Sequence, residues 1–260
     1  MLKILKYSFF DVLRSRWMIL YFLFFFLSAM ILLNFTSDLP KAVGSLMNLT
    51  ITIVPLISTV FGVMYFYSSR DFAELLLCQP IQRSQVFLGQ YLGLSISLVI
   101  SFTAGTALPF ALYGAFISDH IWDYGVLLVC GVLLSFIFTA IAFYISILNE
   151  DRIKGFGIAI LVWLMLSVVY DGLLLYIFIA FNEYPLENAA VALTMINPVD
   201  LSRVMILLKL DVSAMMGYTG AVFQQFFGSF NGMLISFFTL VMWTLLPVLA
   251  FIRRAKRKDF

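Results

Sequence analysis

The chain contains no Gly-Lys dipeptide anywhere in its 260 residues, so it has no Gly-rich phosphate loop of the form G-x-x-x-x-G-K-[ST] and cannot hydrolyse ATP through one. Histidine occurs once, at His120, which leaves no H-E-x-x-H zinc site and no Ser-His pair inside the apolar segments. The two cysteines, Cys78 and Cys130, lie far apart without C-x-x-C spacing, so neither a disulfide framework nor a zinc knuckle is indicated. Charge is scarce too: 12% of residues are Asp, Glu, Lys or Arg, against 63% hydrophobic and 17% aromatic. That composition lies outside soluble globular usage and inside the membrane class.

What remains is a series of long apolar runs. A helix crosses about 30 Å of hydrocarbon with about 20 apolar residues, and six such runs occur, near Trp17 to Phe35, Leu46 to Tyr67, Val86 to Ile117, Gly125 to Leu148, Phe156 to Phe181 and Gly232 to Ile252. They predict an all-α integral membrane protein forming a single domain. The opening stretch has no small-residue cleavage site, which favours a retained first span over a signal peptide. Six spans put both termini on one side. That side receives thirteen of the sixteen Lys and Arg residues, and the other side receives Lys41, Arg203 and Lys209. The bias predicts cytoplasmic termini.

Between the spans, four segments carry information. Leu2, Leu5, Phe9 and Val12 share a helical face, with Lys3, Lys6 and Arg14 elsewhere, predicting an N-terminal helix in the membrane interface. The third span is long and contains Gly105 and Pro109, which predicts tilt or a break there. The joint after span two opens on Arg70, Asp71 and Glu74 and closes at Pro80, predicting a short helix with an apolar ridge of Phe72, Leu75, Leu76 and Leu77. Such a ridge either lies on lipid or docks a partner. Finally, the joint of about 50 residues from Asn182 to Asn231 is too apolar for a free loop. Within it Asn197 and Pro198 mark a helix start, Asp200 suits the first turn, and Leu201, Val204, Met205 and Leu208 follow at helical spacing.

Asp171 is a carboxylate near the middle of span five, where ionised groups are costly and face a partner, water or a pathway. A structural role, bonded to a neighbouring polar group, is the plainer expectation for a solitary residue. Met195, Met205, Met215 and Met216 in the outer joint offer thioethers suited to Cu(I), yet without M-x-x-M spacing they read as packing residues, and no metal site is assigned. Gly89-x-x-x-Gly93 and Gly228-x-x-x-Gly232 are candidates for close helix approach.

The run ELLLCQP from Glu74 to Pro80 with Arg83 and Gly89 after it, the stretch from Asn197 to Arg203, and the segment from Gly217 to Val222 together resemble the membrane subunits of ABC-2 type transporters. The outer segments narrow the likeness to the branch serving maturation of nitrous oxide reductase. The resemblance covers essentially the whole chain, residues 1–260. It implies a permease in the bacterial inner membrane whose helix between spans two and three, with Arg70, Asp71, Phe72, Glu74, Leu75, Leu76, Leu77, Gln79, Pro80 and Arg83, docks on a separate ATPase. It further implies a second copy of the chain, a NosF-like ATPase carrying ATP and Mg, a NosD-like periplasmic partner facing Asn197, Pro198, Asp200 and Arg203, and assembly of copper centres, by mechanical coupling or by export of a sulfur or copper species. No catalytic residue or cofactor is expected on this chain, and no nucleic acid. The alternatives are an ABC-2 exporter of lipid, peptide or drug, and an ATPase-independent transporter or channel.

Overall fold

The computed structural model describes residues 2–36, 38–77, 82–114, 121–181, 187–210 and 230–257, and every element among them is helical. In chain order these are α1 (Leu2–Leu13), α2 (Arg16–Phe35), α3 (Leu39–Ser68), α4 (Arg70–Leu77), α5 (Arg83–Leu112), α6 (Ile121–Leu148), α7 (Arg152–Leu164), a π-helical turn (Met165–Val169), α8 (Tyr170–Ala180), α9 (Glu187–Ile196), α10 (Pro198–Lys209) and α11 (Phe230–Arg257). Among the described residues, six helices are long and apolar enough to cross a membrane: α2, α3, α5, α6, α7 through α8, and α11.

Helices α3, α5 and α6 form the centre. Packing there depends on missing side chains: a Cβ at Gly62 of α3 would lie 2.5 Å from the Ala142 Cβ of α6, and one at Gly131 would run into the Phe102 ring of α5. Without a water-driven hydrophobic force between them, spans in lipid associate through such close backbone approach. Toward the end that bears the termini, Phe66, Phe87, Tyr91, Phe143 and Phe251 meet ring to ring with centroids 5.6–6.1 Å apart. The outer spans are far less enclosed; only 11% of the best window of α7–α8 is buried, against 61% for α6. The outer helices therefore leave broad apolar faces for lipid or for another chain.

Of the tilt or break expected in the third span, the break does not occur. Helix α5 runs as one element through Gly105 and Pro109, as α3 does through Pro55. It stops at Leu112, and Gly114 adopts the left-handed conformation, φ 69°, that closes a helix. Gly105 serves a contact instead: a Cβ there would lie 2.9 Å from the Phe22 carbonyl oxygen of α2. The irregular span is the fifth, where the π-turn Met165–Val169 separates α7 from α8.

Helix α1 packs on α5. Its buried residues are Ile4, Ser8 and Val12, while Leu2 is exposed, because the face that matters is the one that fits the glycines of α5. A Cβ at Gly93 would fall 2.6 Å from the Ser8 Cβ and 3.0 Å from the Leu5 carbonyl; one at Gly89 would fall 3.0 Å from Ile4 Cγ2. Ser97 Oγ reaches the Phe9 carbonyl at 3.2 Å. Gly93→Leu is therefore expected to push α1 off α5 at an overpacking cost of about 1–3 kcal/mol, read as a lower detergent melting temperature and new protease cleavage within residues 2–13. An unchanged melting temperature would contradict the close approach. The partner spacing at Gly228 lies outside the described residues.

Candidate functional site

Two features stand out at opposite ends of the helices. At the end bearing the termini, α4 turns off the last turn of α3 after Ser69, whose backbone N–H closes α3 on the Tyr65 carbonyl. At 100° per residue, Phe72, Ala73 and Leu76 occupy one arc of α4 and Arg70, Asp71, Glu74 and Leu75 the opposite arc. The inward arc is anchored: Phe72 stacks on Tyr7 of α1 with centroids 4.9 Å apart, Ala73 is buried, and Leu76 packs on the core. The outward arc carries the Arg70 Nε to Glu74 Oε1 pair at 3.0 Å, with Asp71 and a 70% exposed Leu75 beside it. The predicted apolar ridge is thus divided, with Phe72 and Leu76 consumed by the protein's own packing and Leu75 presented outward. Leu77 ends the helix, Arg83 begins α5, and Gln79 and Pro80 lie outside the described residues.

At the other end, the outer residues and the fifth span form one polar cluster. Helices α9 and α10 bend by 117° at Asn197. Asn197 caps α10, its Oδ1 accepting from the Val199 N–H at 3.0 Å with Pro198 at the first helical position. Its Nδ2 donates to the Leu166 carbonyl at 2.7 Å and to Asp200 Oδ2 at 3.2 Å. Leu166 belongs to the π-turn, whose i→i+5 pattern opens the carbonyl ladder of the span. Tyr170 Oη, one turn on, donates to the Leu193 carbonyl of α9 at 2.7 Å.

The same turn delivers Asp171. Arg203 Nη1 of α10 donates to Asp171 Oδ2 at 2.6 Å and to Asp200 Oδ1 at 3.2 Å, so one guanidinium bridges two carboxylates on different elements. Asp171 is accordingly not solitary. Its Oδ1 is enclosed without a hydrogen-bond partner, as is Ser167 Oγ. Asn197 and Pro198 are buried and Asp200 is 4% exposed; the polar atoms of Asn197 and Asp200 hold α9–α10 against the fifth span. Arg203 and Asp171 keep 28% and 34% side-chain exposure. Trp243 of α11 ties in as well, its Nε1 donating to the Met195 carbonyl at 3.2 Å.

Met205 is buried on α10, in the apolar face with Leu201 and Val204, and Met215, Met216 and His120 lie outside the described residues. Among the described residues, no group of three His, Cys, Asp or Glu side chains is placed to hold a metal ion.

Comparison with known proteins gives two findings. The model of the ABC-2 family transporter protein, ABC2_membrane_2, matches residues 2–260. The probable ABC transporter permease protein NosY of Stutzerimonas stutzeri is 28% identical over 153 residues, a match covering 52% of this chain and 55% of that relative. The match thus spans about half the length of the curated relative.

Proposed function

The chain belongs to the ABC-2 family of transporter proteins, and from that premise we propose that residues 1–260 act as one transmembrane domain, the permease subunit paired with a separate ATPase. The observation that carries this reading is α4, held on its inner face and presenting Asp71, Glu74 and exposed Leu75 on its outer face at the end of the bundle that bears the basic residues. Thirteen of sixteen basic residues belong to that side, which supports a cytoplasmic position for α4 and both termini, as in a bacterial inner-membrane protein. A cytoplasmic ATPase, carrying ATP and Mg, would seat α4 in a groove. Movement imposed on α4 passes to α1 through the Phe72–Tyr7 stack, and from α1 to α5 through Gly89 and Gly93, as rigid-body displacement.

A second copy of the chain completes the assembly in this reading, because the outer spans leave apolar faces uncovered. At the outer end the latch of α9–α10 to the fifth span gives that movement a rigid surface to act through. The likeness to NosY supports assigning the work to assembly of the copper centres of nitrous oxide reductase, with a NosF-like ATPase and a NosD-like periplasmic protein. Deleting the gene in its host is expected to leave the reductase made but depleted of copper, with restoration by the wild-type gene. Normal copper content in the deletion strain would redirect the assignment to export of a lipid, peptide or drug.

A further inference from the structure

Between α1, α2 and α3, at the end bearing the termini, an open cleft of about 970 Å³ is lined by Lys3, Lys6, Arg14 and Arg152, with Asp11 the one acidic residue. All four cations are exposed and none forms an ion pair among the described residues. Four unpaired cations converge there from α1, the turn after it and the start of α7. In a chain with 12% charged residues, four exposed cations lining one cleft give it a positive potential that attracts an anion.

A second cavity, about 710 Å³, runs along α2 and α3 and is lined almost wholly by apolar side chains, among them Leu20, Leu27, Ile31 and Val60. Trp17 and Phe61 line both cavities, so the basic cleft and the apolar trough lie side by side. A Trp at the junction of charged and apolar zones marks the headgroup level of a bilayer. One side therefore offers positive charge at headgroup depth, and the other offers an apolar path running from it toward the membrane interior. That sequence of environments has the shape and polarity of a single anionic membrane lipid.

We infer that this cleft and the trough beside it bind an anionic phospholipid, its phosphate among the cations Lys3, Lys6, Arg14 and Arg152 of the cleft and one acyl chain along α2 and α3 past Trp17 and Phe61. Charge complementarity selects the headgroup; the apolar lining alone would take any lipid. The site wraps α1, so an occupied cleft braces α1 against α3 at the place where α4 touches it.

The test is native mass spectrometry of the full chain, with whatever copurifies, released from detergent with added phosphatidylglycerol or phosphatidylcholine. Wild type should retain phosphatidylglycerol preferentially, and the combined K3Q, K6Q, R14Q and R152Q variant should lose at least about tenfold of that retention, since each basic residue contributes about fivefold near an anionic headgroup. The tail variant R253Q, R254Q, K256Q removes charge elsewhere on the same side and should retain the lipid. Equal retention of both lipids, or equal loss in the tail variant, would overturn the site. Should the combined variant misfold, quenching in nanodiscs decides instead: phosphatidylglycerol with brominated chains should quench the fluorescence that Trp17→Phe removes more strongly than brominated phosphatidylcholine does. Equal quenching would overturn the proposal, and so would efficient disulfide cross-linking between copies through Leu27→Cys with no lipid retained, because a second chain would then fill the trough.

Discussion

Arg203→Met will destabilise the protein by roughly 1–3 kcal/mol, below the 3–5 kcal/mol typical of breaking a fully buried pair, because Arg203 and Asp171 keep partial exposure. The loss arises from what stays behind. In the wild type one guanidinium lies 2.6 Å from Asp171 and 3.2 Å from Asp200; without it two carboxylates face each other on α8 and α10 with no cation between them. Asp171→Asn alone should be milder, since the amide oxygen still accepts from Arg203. Combining the two substitutions restores the wild-type net charge of the cluster, so the double variant should be more stable than the sum of the singles predicts, by a coupling within the range of about 0.5–3 kcal/mol seen for contacting residues. Melting in detergent for the four proteins reads this directly. Additive effects, or an Arg203→Met protein as stable as the wild type, would show that the bridge does not hold α10 to the fifth span.

The second large effect belongs to Leu75→Asp. Leu75 is 70% exposed on the outward arc of α4, so the isolated chain has little to lose from a charge there and membrane insertion should be unchanged. In the complex, burial of a leucine side chain contributes about 1.5–3 kcal/mol, and each 1.4 kcal/mol is about tenfold in affinity. ATPase recovery with Leu75→Asp should therefore fall about tenfold or more. Glu74→Ala should act weakly, because its exposed pair with Arg70 at 3.0 Å lies in the class contributing about 0.3–0.5 kcal/mol. Leu76→Asp should damage the chain itself, since Leu76 packs on the core. Undiminished recovery with Leu75→Asp would sink the docking role of this face.

The six spans, the short helix after span two and the start of α10 at Asn197 were legible in the sequence because each depends on local signals: apolar length, a breaking residue, a capping pair. Long-range placement was not. Arg203 read as a partner-facing charge on the outer helix and Asp171 as a solitary carboxylate within the fifth span. What hid their pairing is the 117° bend that folds α10 back on the fifth span, together with the π-turn at Met165–Val169, which re-aims Asp171 and frees the Leu166 carbonyl for Asn197. No local preference distinguishes MLSVV from ordinary helix. Likewise the glycines at 89 and 93 were visible as a spacing, but which helix they receive followed only from seeing Ser8 and Ile4 over them. The division of the α4 ridge into an anchored and a presented arc required knowing that Tyr7 of α1 lies beneath Phe72.

The most direct measurement of the central claim is purification of the tagged wild-type chain from its own membrane in mild detergent, with the accompanying proteins identified by mass spectrometry. A stoichiometric partner carrying the G-x-x-x-x-G-K-[ST] loop that this chain lacks is the predicted result. Reproducible recovery of the chain with no ATPase would contradict the account and return it to a self-contained transporter or channel.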